Sequence, residues 1–306
     1  MAISRAQLVK ELEPGLNALF GLEYKRYENQ HAEIYTTESS DRAFEEEVML
    51  SGFANADVKA EGQGIAYDDA QETSTARYTM ETIALAFAIT EEAIEDNLYD
   101  RLSSRYTKAL ARSMSNAKEV KGAAVLNNGL PGVAAASAFQ TGDGSNLLAT
   151  DHSTIAGTVS NTLAVQADLN ETSLEQALID IAAMTDERGL RIAAKGVKMI
   201  IPSANQFNAE RLMKSQGRTQ TADNDINAIN SMGMIPQGYR VNHFLTDADS
   251  WYIITDVPNG MKHFERTPLT TSMEGDFDTG NVRYKARERY VYGCSDYRGI
   301  FGCEGV

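Results

Sequence analysis

Four histidines, two cysteines and a few close carboxylates are what this 306-residue sequence offers for chemistry. A nucleophilic hydrolase needs a histidine beside a serine or cysteine. The histidines are His31, His152, His243 and His263, and no serine sits in a G-x-S-x-G elbow. His152 follows Asp151 in a Ser/Thr-rich stretch and reads as a loop histidine. Neither H-E-x-x-H nor a paired-histidine spacing occurs, so no metal ligands are expected. Asp247-Ala248-Asp249 lacks the glycine and distal glutamate of a calcium loop and reads as a turn between strands. Gly62-Gln63-Gly64 and Gly142-Asp143-Gly144 lack the strand-to-helix setting of a phosphate loop and read as flexible linkers. Cys294 and Cys303 lack C-x-x-C spacing and flank an expected turn. A bridge between them is geometrically conceivable but disfavoured in a reducing compartment, so both are expected as free thiols. No catalytic residue, cofactor or metal site is expected.

One charged pattern stands out. Residues 281–293 alternate with period 2, placing Arg283, Lys285, Arg287 and Arg289 on one face. Val282, Tyr284, Ala286, Tyr290 and Tyr292 share the other, with Glu288 the exception. The cations read first as a solvated or salt-bridged surface, less readily as a nucleic-acid contact. A third reading sets them against the acidic arm of a neighbouring copy. Residues 1–90 carry 16 acids against 7 bases, residues 91–122 six against six, and residues 123–306 21 against 15. The net charge of −15 argues against a protein that grips nucleic acid along a basic face.

The elements that must position these residues follow from composition and periodicity. With 42% hydrophobic and 23% charged residues the chain is expected to fold, as one very large domain or two medium ones. No run approaches the roughly 18 apolar residues of a membrane span, and no signal-peptide core follows Met1. Intracellular synthesis is expected. Residues 1–47 are polar and acidic with scattered apolar positions, an arm that cannot bury a core alone. A strand is expected over 47–54. Residues 57–74 are rich in Gly, Asp, Glu and Gln and read as a loop or hairpin tip. Period-2 alternation over 75–89 predicts one strand, its last half buried through Ile83, Leu85, Phe87 and Ile89.

Thr90, followed by Glu91 and Glu92, predicts a capped helix start. Ile94, Leu98, Leu102, Tyr106, Leu110 and Met114 give the helix an apolar stripe to about residue 117. Residues 127–146 are loop-rich. From Thr172 helix and strand alternate, giving a compact α+β unit over 150–262. Its strands are expected at 196–202, 239–245 and 251–255.

The order of these parts resembles the major capsid protein of tailed bacteriophages, of the Hong Kong 97 fold, and within it the Mu-like major head subunits. The resemblance rests on Ile83-Ala84-Leu85-Ala86-Phe87-Ala88-Ile89-Thr90-Glu91-Glu92-Ala93-Ile94-Glu95-Asp96-Asn97, where strand turns into spine helix. It rests also on Leu147-Leu148-Ala149-Thr150-Asp151-His152, Val197-Lys198-Met199-Ile200-Ile201-Pro202, Asn224-Asp225-Ile226-Asn227 and Asp249-Ser250-Trp251-Tyr252-Ile253. The ending Tyr290-Val291-Tyr292-Gly293-Cys294-Ser295-Asp296-Tyr297-Arg298-Gly299-Ile300 completes it.

The resemblance implies an α+β capsid fold. Its parts would be an N-terminal arm (1–47), an extended hairpin loop (48–89), a peripheral domain with the spine helix (90–149), an axial α+β domain (150–262), a return strand (263–293) and a C-terminal tail (294–306). It implies a structural protein without cofactors, forming hexamers and pentamers of an icosahedral shell around double-stranded DNA. Portal and scaffolding proteins would be partners, a membrane would not, and the site would be the virion after assembly in the bacterial cytoplasm. Intersubunit contacts are expected at Lys59, Glu61, Tyr67, Asp68, Asp69, Arg283, Lys285, Arg287 and Arg289. Some relatives begin with a cleaved helical scaffolding segment, and about 47 residues before the first expected strand are too few for one. Some relatives cross-link a loop lysine to an asparagine; Lys59 reads instead as a solvated lysine. Two other readings stay open: an encapsulin-type compartment shell, and a soluble α+β enzyme whose site is not recognised.

Overall fold

The computed structural model describes residues 5–90, 92, 99–134, 136–218, 225–276 and 280–306. Helix α1 (Arg5–Tyr24) opens the chain, followed by strands β1 (Thr36–Ser39) and β2 (Phe44–Leu50). After a long tip come β3 (Glu72–Thr79) and β4 (Glu81–Ile89), then the long helix α2 (Tyr99–Asn128). Short strands β5 (His152–Thr154) and β6 (Gly157–Val159) lead to α3 (Glu171–Ala183), β7 (Gly196–Ile201), α4 (Gln206–Lys214) and α5 (Ala228–Met232). The chain ends with β8 (Tyr239–Val241), β9 (Trp251–Thr255), β10 (Met261–Gly275), β11 (Val282–Cys294) and β12 (Ile300–Cys303).

Two four-stranded sheets carry the fold, ordered β1-β10-β11-β4 and β12-β9-β7-β8, and β2 pairs with β3 as a separate ribbon. In the first sheet β11 alternates as expected: Val282, Tyr284, Ala286, Glu288 and Tyr290 are buried, while Arg283, Lys285 and Arg287 are exposed. Pro268 lies in β10, where the ladder to β11 slips between Glu265 and Thr267 and again before Thr270. A proline offers no N–H to a ladder, which is why it sits at the irregularity. Leu110, Ala111 and Met114 of α2 pack with Tyr284 and Ala286 of β11 and with Leu16 and Phe20 of α1. The expected helix is therefore present, but it runs past the expected end near residue 117 to Asn128, because Val125 and Leu126 are buried in the core with Leu147 and Leu148. Its start, with Glu91, Ile94 and Leu98, lies outside the described residues, as do the side chains of Arg101 and Leu102. Tyr106 of the expected stripe is exposed.

The second sheet has a core on each face. Trp251 and Ile253 of β9 and Met199 and Ile201 of β7 pack with Leu174, Ala177, Leu178 and Ile181 of α3. Ile200 and Tyr252 point the other way, into a core shared with Leu126, Leu147, Leu148, Tyr290 and Tyr292. Helix α3 starts in a reciprocal cap: the Asn170 side chain accepts from the Ser173 amide at 2.9 Å, and the Ser173 hydroxyl accepts from the Asn170 amide at 3.0 Å.

Four expectations change. The polar arm has no core of its own, as expected, but half of it is helix α1, which buries Leu16 and Phe20 against α2. The single strand over 75–89 breaks at Met80, whose amide bonds to Ala43 at 3.1 Å, so β3 joins β2 while β4 joins β11. Leu85 is 48% exposed, not buried, because β4 is the sheet's edge. The tail from 294 onward contains β12, fully buried beside β9. The unit expected over 150–262 thus borrows its outermost strand from the C-terminus. Cys294 and Cys303 are free thiols in different cores.

Candidate interaction surfaces

The β2–β3 ribbon and its tip form the first surface. The ladder closes at Ser51 and Gln71, where the Ser51 amide bonds to the Gln71 carbonyl at 2.9 Å. Beyond it, no residue from 52 to 71 is in a strand or helix. The few apolar side chains of the tip find no cover: Val58 and Tyr67 are each 98% exposed, and Phe53 and Ile65 largely so. Lys59 and Glu61 are exposed as well. Asp68 and Asp69 are not left to a neighbour alone. Arg188 donates to the Asp69 carbonyl at 2.6 Å and lies 3.8 Å from the Asp68 carboxylate. Asp68 also accepts from the Ala54 amide at 2.7 Å, which holds its carboxyl below the usual range.

The cationic face of β11 forms the second surface. Arg283 stands opposite Ala88 of β4, Lys285 opposite Ala86 and Arg287 opposite Ala84. On the β10 side they meet Glu274, Ser272 and Thr270. The row of cations therefore rises beside alanines on the β4 side, and on the β10 side Arg283 faces a carboxylate while Lys285 and Arg287 face hydroxyls. Arg283 makes an ion pair with Asp276, and Arg289 is half-buried, so Lys285 and Arg287 are the more open members. The acidic N-terminal third is partly neutralised within the chain. Glu33 pairs with Lys198 at 2.6 Å, Glu38 with Lys262 at 3.1 Å, and Glu47 also with Lys262. Glu46 lies 3.6 Å from Arg77, and Glu81 pairs with Lys121.

Under these surfaces lie buried polar clusters that hold them in place. Glu288 is fully buried; Lys118 of α2 reaches it at 3.2 Å and Glu265 of β10 at 3.4 Å. Tyr24 of α1 donates to Glu288 at 3.2 Å. Burial pushes the Glu288 carboxyl upward, against the pull of Lys118 and Tyr24. The one signal in the sequence was a glutamate on the apolar face of β11. His152 is fully buried, not a solvated loop residue: it contacts Asp143 at 2.8 Å and stacks on Tyr297 with ring centres 3.8 Å apart. Burial opposes ionisation of Asp143, but the bonds from His152 and Thr141 win and hold its carboxyl far below the usual range. Gly142-Asp143-Gly144 is thus a fixed turn, and a Cβ at Gly142 would meet the Thr75–Ala76 backbone at 3.0 Å. Asn161, which no pattern marked, donates to the carbonyls of Leu147, Tyr297 and Ile300 at 2.7, 3.0 and 3.3 Å. It ties the segment at Leu147 and the segment at 297–300 to its own. Where the ribbon meets its tip, Arg298 is 4% exposed, bonds to Glu187 at 2.5 Å and reaches the Met49 sulfur at 3.6 Å.

His31 and His263 make a further buried group. His31 contacts Glu119 at 2.6 Å, and the His263 ring stacks on Tyr292 with centres 4.4 Å apart. Thr37 lies 3.1 Å from Nδ1 of His263, and Tyr290 stands edge-on to its ring at 5.6 Å. Burial, then the charges of Lys118 and His31, holds His263 down to about 3. A histidine depressed in the folded state resists protonation that the unfolded chain accepts at about 6.5. Stability is therefore full above pH 6.5 and falls as pH drops toward 3. Between pH 6.5 and 4.5 the expected loss is about 2–3 kcal/mol, at ~1.4 kcal/mol per unit. Urea melts of the subunit should show it, and His263→Phe should flatten the dependence by that amount. An unchanged slope in His263→Phe would remove His263 as the cause.

The other sequence candidates assemble no chemistry. Asp247 and Asp249 form a turn in which the Asp249 amide bonds to the Asp247 carboxylate at 3.1 Å. Among the described residues no group of three or more His, Cys, Asp or Glu is placed to hold a metal, and no helix is long and apolar enough to cross a membrane.

Comparison with known proteins places the fold. The chain is similar to the crystallised virus-like particle from Pyrococcus furiosus at 9% identity, covering 94% of this chain and 97% of that one, with a TM-score of 0.53. It is similar to the capsid of an empty GTA particle at 13% identity, covering 89% and 88%, with a TM-score of 0.56. The capsid of Myoviridae phage XM1 gives 12% identity, 89% of each chain and a TM-score of 0.52. At these identities the likeness is one of fold, the Hong Kong 97-like fold of tailed-phage capsids. No curated protein matches the sequence. A sequence model of the family described as phage capsid protein matches residues 72–302, from β3 to β12 and about three quarters of the chain. The chain belongs to the phage capsid protein family.

Proposed function

We propose that copies of this capsid protein close into an icosahedral shell of hexamers and pentamers around double-stranded DNA, and that the chain is structural with no catalytic role. The observation that carries this reading is the ribbon tip. A monomer gains nothing from Val58 and Tyr67 held fully in solvent on a long polar loop, whereas a lattice covers them with the next subunit. Lys59, Glu61 and Tyr67 are the tip's contact residues, and Asp68 and Asp69 set its departure angle through Arg188. In this reading α2 and the β1-β10-β11-β4 sheet form the peripheral part, and the β12-β9-β7-β8 sheet the axial part. Portal and scaffolding proteins complete the particle in the host cytoplasm. The strand-to-helix motif at 83–97 supports placement near the Mu-like head subunits. Electron microscopy of the purified chain tests the proposal. Uniform closed shells or capsomer tubes are expected, and native particles should contain DNA. A small monomer at all concentrations refutes the reading, and particles filled with an enzyme cargo point to a compartment shell.

The cationic row is proposed to work between subunits. Each exposed pair contributes only about 0.2–1 kcal/mol, so single substitutions are mild. Lys285→Glu/Arg287→Glu repeats its repulsion at every copy. The double variant should fold, assemble poorly, and recover in part at raised salt, which screens like charges. Normal assembly with less packaged DNA would instead assign the row to the genome.

A further inference from the structure

Edge strand β4 is nine residues long and differs from the edge strands β1 and β2 in what it presents. Strand β2 carries Glu45, Glu46 and Glu47, and β1 is four residues long with Glu38 in it. From Thr82 to Ile89, β4 has neither a charge nor a proline. Among the described residues its ladder runs only to β11, and no other backbone group bonds to it. Leu85 lies opposite the buried Ala286, on the face whose Ile83 and Phe87 pack toward α2, yet it is 48% exposed. Natural sheets blunt such an edge with charge, proline, a bulge or a cover. The first three are missing from Thr82 to Ile89, and among the described residues no backbone segment supplies the fourth.

We infer that β4 pairs antiparallel with β4 of a second copy about a two-fold axis through Leu85, joining two four-stranded sheets into one. The inference rests on the assembly reading above. In this register Leu85 meets Leu85, Ile83 meets Phe87, and Glu81 meets Ile89, so the whole strand is used and its apolar face is continuous. Ala84 meets Ala86 on the cationic side. Charge does not oppose this occupant. The two Glu81 carboxylates stand about 27 Å apart at ~3.4 Å per residue, and the two β11 cation rows about 14 Å apart at ~4.8 Å per strand. Both distances exceed the Debye length of about 10 Å. A neighbour's β2 would instead lay its glutamates along an uncharged strand. Nine residues a side fall short of the roughly 20–30 of a self-sufficient interface, so the pairing forms within an assembly and isolated subunits stay monomeric.

Cysteine cross-linking of assembled particles tests it. Facing residues of an antiparallel pair have Cα atoms about 4.5–5.5 Å apart, inside the range that a disulfide spans. Mild oxidation of Leu85→Cys particles should convert most subunits to covalent dimers on a non-reducing gel. Ala84→Cys should give none, because it faces Ala86, and Ala84→Cys/Ala86→Cys should give dimers again. The double variant keeps the test open if Leu85→Cys does not assemble, and the native thiols are buried. Particles that close normally while the Leu85→Cys thiol stays open to maleimide and forms no dimer overturn the pairing. So does equal cross-linking of Ala84→Cys. A wild-type chain that forms no particles overturns the assembly reading first, and the pairing with it.

Discussion

Deleting residues 53–69 is expected to leave a soluble, folded subunit that closes no shells. The deletion joins Gly52 to Ala70 and turns the tip into a two-residue hairpin loop between the Ser51–Gln71 pair. Gly52 already has φ 64°, the left-handed region that a primed hairpin turn asks of its first residue. Nothing removed belongs to a hydrophobic core cluster; the tether lost is Arg188 to Asp68 and Asp69. Stability should therefore change by only about 0.5 kcal/mol, as for surface substitutions away from special features. Assembly should fall by more than tenfold, because the exposed Val58, Ile65 and Tyr67 are no longer offered to a neighbour. Sedimentation and electron microscopy read the outcome. Heat-resistant shells of normal size from the deleted chain would sink the idea that the tip is an assembly element.

Lys118→Met should destabilise the subunit by about 3–5 kcal/mol, the cost of leaving a buried charge without its partner. Glu288 is fully enclosed and sits at the junction of α1, α2, β10 and β11, so no water replaces the lost ammonium group. The loss should shrink as pH falls. Burial already raises the Glu288 carboxyl, and without Lys118 it takes up a proton more readily in the folded chain than in the unfolded one. Replacing both partners, as Lys118→Met/Glu288→Met, should recover most of the stability, since two apolar groups of similar size need no counter-charge. Denaturant melts at pH 8 and pH 5 measure both effects. Wild-type stability in Lys118→Met at pH 8 would show that the pair carries no net weight.

Spacing alone was enough for part of this structure. The alternation of β11 put three tyrosines inward and the cations outward, and it flagged Glu288 as the buried exception. The presence of α2, though not its end, the α3–β7–α4 succession and the strandless tip were legible for the same reason. Each depends on neighbours in sequence that share a face or share a lack of apolar residues. The elements missed were those whose burial is supplied from far away. Helix α1 looked like a polar arm because its core partners, Met114 and Tyr284, lie about 100 and 265 residues on. Strand β10 has Pro268 and a broken register, which erases its period. Strand β12 is four residues of an apparent tail until β9 is beside it.

The contact surfaces divide in the same way. Composition identified the tip and the cationic row, but not that Asp68 and Asp69 are tied to Arg188 or Arg283 to Asp276. Period-2 alternation over 75–89 showed two faces and could not show a change of sheet at Met80, because both sheets demand the same period. His152 and Asn161 carried no local signal, since their partners Asp143, Tyr297 and Ile300 meet only in the folded chain. Sequence determined which residues alternate, cap and stay polar, because those are local preferences of side chain and backbone. Tertiary structure decided which polar groups are paired and which strand edge is left open, because hydrogen bonds and ion pairs are settled by distances of a few ångströms between segments far apart along the chain.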